Sequence, residues 1–132
     1  MQVFREKIAL RGGFESHAAS SLTGNLALTG IQKLVAQSEE IGGAASVTVA
    51  SSLINFTDAD TPASSNITLS TSGHELGQLL YVLNSSATNE DVVLLAASLV
   101  GANNITLANA NEFTVLMFNG TSWLNIGGTA PA

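Results

Sequence analysis

At 132 residues the chain has the length of one domain, enough to bury most of the apolar surface of its unfolded form. Charged residues make up only 11%, against about 25% in ordinary soluble domains, and 45% of the chain is apolar, so the surface is neutral and favours assembly over a free monomer. The absence of cysteine excludes disulfides, thiolate zinc sites and thiol catalysis. The formal charge is −6, and the only basic side chains are Arg5, Lys7, Arg11 and Lys33; the later carboxylates, from Glu39 to Glu112, have no cation to offset them, which excludes phosphate-neutralising nucleic-acid binding by the body.

Residues 1–13 read as an extended N-terminal arm. Val3, Arg5 and Lys7 fall on one face of an extended strand, Phe4 and Ile8 fall on the other, and Gly12-Gly13 form a flexible join. Phe4, Arg5, Lys7, Ile8 and Arg11 are the candidate partner-binding residues. The arm alternates charge with apolar residues and so lacks the pattern of a secretory signal. Residues 14–45 are expected to form a connecting segment and the first strands. Within it, Ile31 to Glu40 has helix-forming residues, but Gly30 and Gly42-Gly43 confine any helix to about three turns, and strand is preferred.

The body is expected over residues 46–128, followed by a tail at 129–132. Ser46 to Val49 alternates polar and apolar, Leu53 to Phe56 is a second strand, and Thr57 to Ser65, with its aspartates and proline, is a loop. Further strands are predicted at Asn66 to Ser70, Gln78 to Asn84, Asp91 to Ser98, Asn104 to Ala108, Phe113 to Phe118 and Trp123 to Ile126. Short strands at this spacing predict an all-β fold, an antiparallel β-sandwich, barrel or jelly roll. Asn119-Gly120 fits a tight hairpin in which both residues take positive φ. Ser65 to Leu69 (SNITL) echoes Asn103 to Leu107 (NNITL), but two copies do not make a solenoid, which needs at least three stacked repeats.

Reactive chemistry is sparse. Glu15, Ser16 and His17, or Ser72, His74 and Glu75, supply the letters of a hydrolytic triad, but serine is so common that such sets arise by chance, and neither serine sits in a nucleophile elbow. No enzyme activity and no cofactor are expected. Asp58 and Asp60 offer carboxylates to a cation without the closing glutamate of a calcium loop. Asn-X-Ser/Thr triplets at Asn55, Asn66, Asn84, Asn104 and Asn119 read as compositional, with their side chains expected in turns or at strand edges. The longest apolar run, Val92 to Val100, is about half the length that spans a bilayer as a helix, so no membrane partner is expected.

Gly77 to Asn84 (GQLLYVLN), Asn104 to Leu107 (NITL) and Phe113 to Trp123 (FTVLMFNGTSW) together resemble structural modules of tailed-bacteriophage virions, found in tail fibres and small head proteins. The Leu26 to Gly30 and Gly42 to Thr48 segments are similar to such modules too. There is no coiled-coil shaft, which favours the small head proteins. The resemblance implies a β-tulip-like body that forms a homotrimer and a capsid decoration, or cement, protein. Such a protein binds the major capsid protein on the outer surface of the virion and is assembled in the host cytoplasm. The alternative it implies is a tail-fibre or receptor-binding tip that binds host glycans through loops such as Thr57 to Ser65. A free carbohydrate-binding or hydrolytic protein ranks last, because one Trp and one Tyr offer little stacking surface.

Overall fold

The computed structural model describes residues 30, 31, 33–42, 45–58, 65–87 and 90–128. The chain divides into two compact units, Met1–Gln32 and Lys33–Ala132, and every element below belongs to the second. Its strands are β1 (Ala36–Glu40), β2 (Ala45–Val47), β3 (Leu53–Thr57), β4 (Ser65–Leu69), β5 (Leu79–Asn84), β6 (Val92–Leu94), β7 (Ile105–Leu107), β8 (Phe113–Phe118) and β9 (Trp123–Gly128). The all-β expectation holds.

The strands form a five-stranded sheet in the order β1-β3-β5-β8-β9 and a four-stranded sheet in the order β2-β4-β6-β7. Alternation explains their common core. Ile54, Phe56, Leu80, Val82, Leu116, Phe118 and Trp123 point inward from the larger sheet, and Val47, Ile67, Leu69, Val92, Leu94, Ile105 and Leu107 from the smaller, in one buried cluster.

The pairing differs from the antiparallel expectation. β1 with β3, β3 with β5, β2 with β4 and β4 with β6 are parallel; β5 with β8, β8 with β9 and β6 with β7 are antiparallel. Through β6, consecutive strands belong to opposite sheets, so each strand returns beside the one two before it. Three coils therefore stack: β1 with β2, β3 with β4, and β5 with β6. The stacking lacks a sequence period because the coils differ in length: Ala36 pairs with Leu53, 17 positions on, whereas Leu53 pairs with Tyr81, 28 positions on. The SNITL/NNITL echo is not a coil repeat either; it marks β4 and β7, the two strands flanking β6.

Side chains close the coils where backbone pairing ends. The hydroxyls of Ser65, Ser70 and Ser98 accept the backbone N–H groups of Gly42 (2.6 Å), Val49 (2.9 Å) and Leu69 (3.2 Å). Gln37 donates to the Thr48 carbonyl (2.8 Å) and accepts from the Ala50 N–H (2.9 Å), tying β1 to the segment that leaves β2.

Two local expectations change. Asp91 to Ser98 is not one strand: β6 stops at Leu94 and Ala96–Ser98 forms a 3₁₀ turn, because the Asn104 side chain accepts the Ala96 N–H (2.9 Å) and the Ser98 hydroxyl donates to the Leu95 carbonyl (3.1 Å). At the β8–β9 hairpin only Gly120 takes positive φ (98°); Asn119 works through its side chain, whose oxygen accepts the N–H groups of Thr121 (3.0 Å) and Ser122 (2.9 Å). β1 settles the ambiguous Ile31 to Glu40 segment in favour of strand over Ala36–Glu40, since pairing with β3 supplies what helix propensity cannot.

Candidate functional site

The basic arm residues Phe4, Arg5, Lys7, Ile8 and Arg11 lie outside the described residues, as do Glu15, Ser16, His17 and Asp60. What the structure does place falls into a polar clasp, an acidic end and two contrasting sheet faces.

The clasp is built around His74. Its Nε2 lies 3.1 Å from the Ser70 hydroxyl and its Nδ1 3.3 Å from Gln78 Oε1, while its ring packs against Phe118 and Trp123 at 5.5 and 5.1 Å. Gln78 Oε1 also accepts the Glu75 N–H (3.4 Å), so the consistent assignment puts the proton on Nδ1 and leaves Nε2 to accept from Ser70. The histidine thus meets Ser70 and Gln78, not the Ser72 and Glu75 that the sequence set beside it. The Ser70 hydroxyl is engaged by the Val49 N–H and its carbonyl by the Trp123 indole N–H (2.9 Å), and a neutral amide stands where a hydrolytic triad carries a carboxylate. The arrangement fastens the β4–β5 connection to the core. Serine, histidine and glutamine at steps of four residues were visible in the sequence; their convergence was not, because it depends on Trp123 and Val49.

The acidic end follows from the winding. β1, β3 and β5 finish where β4, β6 and β8 begin, so Glu39, Glu40, Asp58, Glu90, Asp91 and Glu112 gather at one end of the body. Of the other described carboxylates only Glu75 lies at the opposite end, and Lys33 is the single described cation. Glu112 accepts from the backbone N–H of Ala108 (2.7 Å) and of Asn109 (3.2 Å) and from the Asn109 side chain (2.7 Å). The Asn109 side chain first, and then the two backbone donors, hold its carboxyl below the ordinary value against the opposing effect of desolvation. Asp58 accepts the Ala87 N–H (2.8 Å). Glu90 is buried, and among the described residues neither carboxylate oxygen has a hydrogen-bond partner. Among the described residues no group of three or more carboxylates and histidines is placed to hold a metal ion.

Asn84 lies at the centre of this end. Fully buried, it donates to the carbonyls of Glu90 (2.7 Å) and Leu107 (3.0 Å) and accepts the Ser86 N–H (3.0 Å). Its Asn-X-Ser triplet is therefore structural. The expectation of turns or strand edges fails for Asn55, Asn66 and Asn84, which stand in the interior strands β3, β4 and β5.

The two outer faces differ sharply. The smaller sheet turns Ser46, Asn66, Thr68 and Thr106 outward, with Val93 the apolar exception. On the larger sheet the register aligns Leu53, Tyr81 and Val115 in one outward row, Leu79, Met117 and Leu124 in a second, and Leu83 beside Phe113 in a third. Leu79, Tyr81, Phe113 and Ile126 are 41%, 36%, 38% and 49% exposed. The signal lies in β5 (LLYVLN) and β8 (FTVLMF), whose runs are apolar at both parities where a strand with one solvated face would alternate.

A cleft of about 190 Å³ beside the 3₁₀ turn is lined by Leu99, Asn103, Asn104, Leu124 and Asn125 among others. Among the described residues no helix is long and apolar enough to cross a membrane. Neither a protein-family model nor a curated protein matches the sequence.

Proposed function

We propose that the chain is a capsid decoration protein of a tailed bacteriophage, a non-enzymatic module that forms a homotrimer and stabilises the shell of major capsid protein. The carrying observation is the apolar outer face of the larger sheet on a body whose other outer face is polar. Such a body works by contact, and its serine, histidine and buried asparagine are occupied in holding its own coils together. The basic arm then reaches the shell: Phe4 and Ile8 pack, Arg5, Lys7 and Arg11 pair with carboxylates, and the backbone adds to a sheet edge. Several arms per assembly make modest single contacts long-lived through effective concentration.

The test is deletion of residues 1–13. The shortened protein is expected to assemble as the full chain does but to leave expanded capsids bare; full occupancy without the arm overturns the mechanism.

The cleft beside Asn103, Asn104 and Asn125 favours a second reading, a receptor-binding tip that hydrogen-bonds host glycans. Copy number separates the two. Hundreds of copies over the head support decoration, and a few at the tail support the tip.

A further inference from the structure

We infer that the outer face of the five-stranded sheet, centred on Tyr81 and Val115, is covered by the same face of further copies of this chain. The inference does not depend on the capsid reading, since it concerns what the purified protein does alone.

Three observations select this occupant. First, β3, β5, β8 and β9 contain no Asp, Glu, Lys or Arg, so these four strands give the face neither a charge to recognise a charged partner nor a charge to repel its own copy. A chain of net charge −6 meets itself most readily through a surface poor in carboxylates. The winding provides one by sending Glu39, Glu40, Asp58, Glu90, Asp91 and Glu112 to the end of the body, where Glu40, the last residue of the edge strand β1, still shares the outward parity of the face. A basic partner would be drawn to that end and not to the sheet face.

Second, the size is adequate. Five strands about 4.8 Å apart and roughly 20 Å long present on the order of 480 Å² per copy. Two such faces laid together cover about 1,000 Å², the lower bound for a biological interface and the size of a weak, reversible one. The fifth strand adds the small, uncharged Ala36 and Ser38 at the rim, in register with Leu53 and Asn55, and ends on the exposed Glu40, in register with Thr57 at the corner of the face.

Third, the chemistry is that of a self-contact. Tyr81 and Phe113 are large aromatic side chains held on paired strands, with Val115 and Leu83 between them, and apolar, charge-poor patches with aromatic anchors are characteristic of homo-oligomer interfaces. The outer face of the smaller sheet, with Asn66, Thr68 and Thr106, provides an internal control on the same molecule.

The experiment is sedimentation of the purified full chain over a concentration series. The parent protein is expected to exceed the 13.5 kDa of a single chain, and the double variant Tyr81→Glu with Val115→Glu to lose at least a hundredfold in association constant, while Thr106→Glu assembles as the parent does. A parent that sediments as one chain at about 100 µM, or a folded double variant that assembles unchanged, overturns the inference. Should the double variant not fold, the chain's lack of cysteine allows a second measurement: Tyr81→Cys is expected to cross-link to itself through a short bismaleimide, and Thr106→Cys is not. Equal cross-linking of the two variants, or none of Tyr81→Cys, counts against the face.

Discussion

The indole N–H of Trp123, at the start of β9, donates to the backbone carbonyl of Ser70, which follows β4 in the opposite sheet, at 2.9 Å. This bond joins the two sheets through their core, and it is framed by the His74 ring, which lies 5.1 Å from Trp123. Replacing Trp123 with Phe keeps an aromatic ring but leaves a cavity and an unpaired carbonyl. The expected loss is about 2–3 kcal/mol, read as a lower urea midpoint at unchanged m-value. A loss below about 0.5 kcal/mol means that the bond and the ring volume are dispensable.

Asn84 supports three segments at once: the Ser86 turn, the Glu90 carbonyl and the end of β7 at Leu107. Asn84→Ala removes all three bonds and leaves buried partners unsatisfied, with an expected cost of about 2–4 kcal/mol. Asn84→Asp serves as the control, because its oxygens can accept from Ser86 but cannot donate to either carbonyl. It should destabilise comparably in urea titrations at neutral pH, and near-parental stability in both variants would refute the role.

Glu90 makes the opposite prediction. Its backbone takes part in the end of the body, but its carboxylate is buried without a hydrogen bond from any described residue. Methionine fills a similar volume without a polar group to desolvate. Glu90→Met is therefore expected to stabilise the protein by about 1 kcal/mol or more, raising the thermal midpoint by a few degrees. A lower midpoint would mean that the carboxylate is used.

Glu112 links stability to acid. Its folded-state pKa is lowered, first by the Asn109 side chain, so its contribution is complete above the unfolded value and is lost as pH falls through the lower folded one. The stability difference between the parent and Glu112→Gln should be present at pH 7 and shrink as pH drops below the ordinary glutamate range of about 4 to 4.5. Denaturation curves at a series of pH values measure it; a difference that does not change with pH removes the linkage.

Strand positions were largely legible because alternation is a local property. Leu53 to Phe56 and Phe113 to Phe118 carry their inward and outward positions in their own residues. Ser98 shows where locality fails. Its segment looks like a continuation of β6, but its hydroxyl bonds both Leu95 and Leu69, and that second partner lies 29 positions away. Tyr81 shows a signal of another kind: it stands in a run that is apolar at both parities, where a strand with one solvated face would alternate.

The amino-acid sequence by itself determined that this is a charge-poor, cysteine-free, all-β chain with its basic residues ahead of position 34, because composition and period-two alternation need no partner to be read. Only the tertiary structure decided which strands pair and in which direction. Leu53 lies parallel to Tyr81 because the chain crosses to the other sheet between them, through a coil whose length has no sequence period. The same winding gathers the carboxylates at one end and the outward apolar side chains on one face, since strand order determines which distant residues become neighbours.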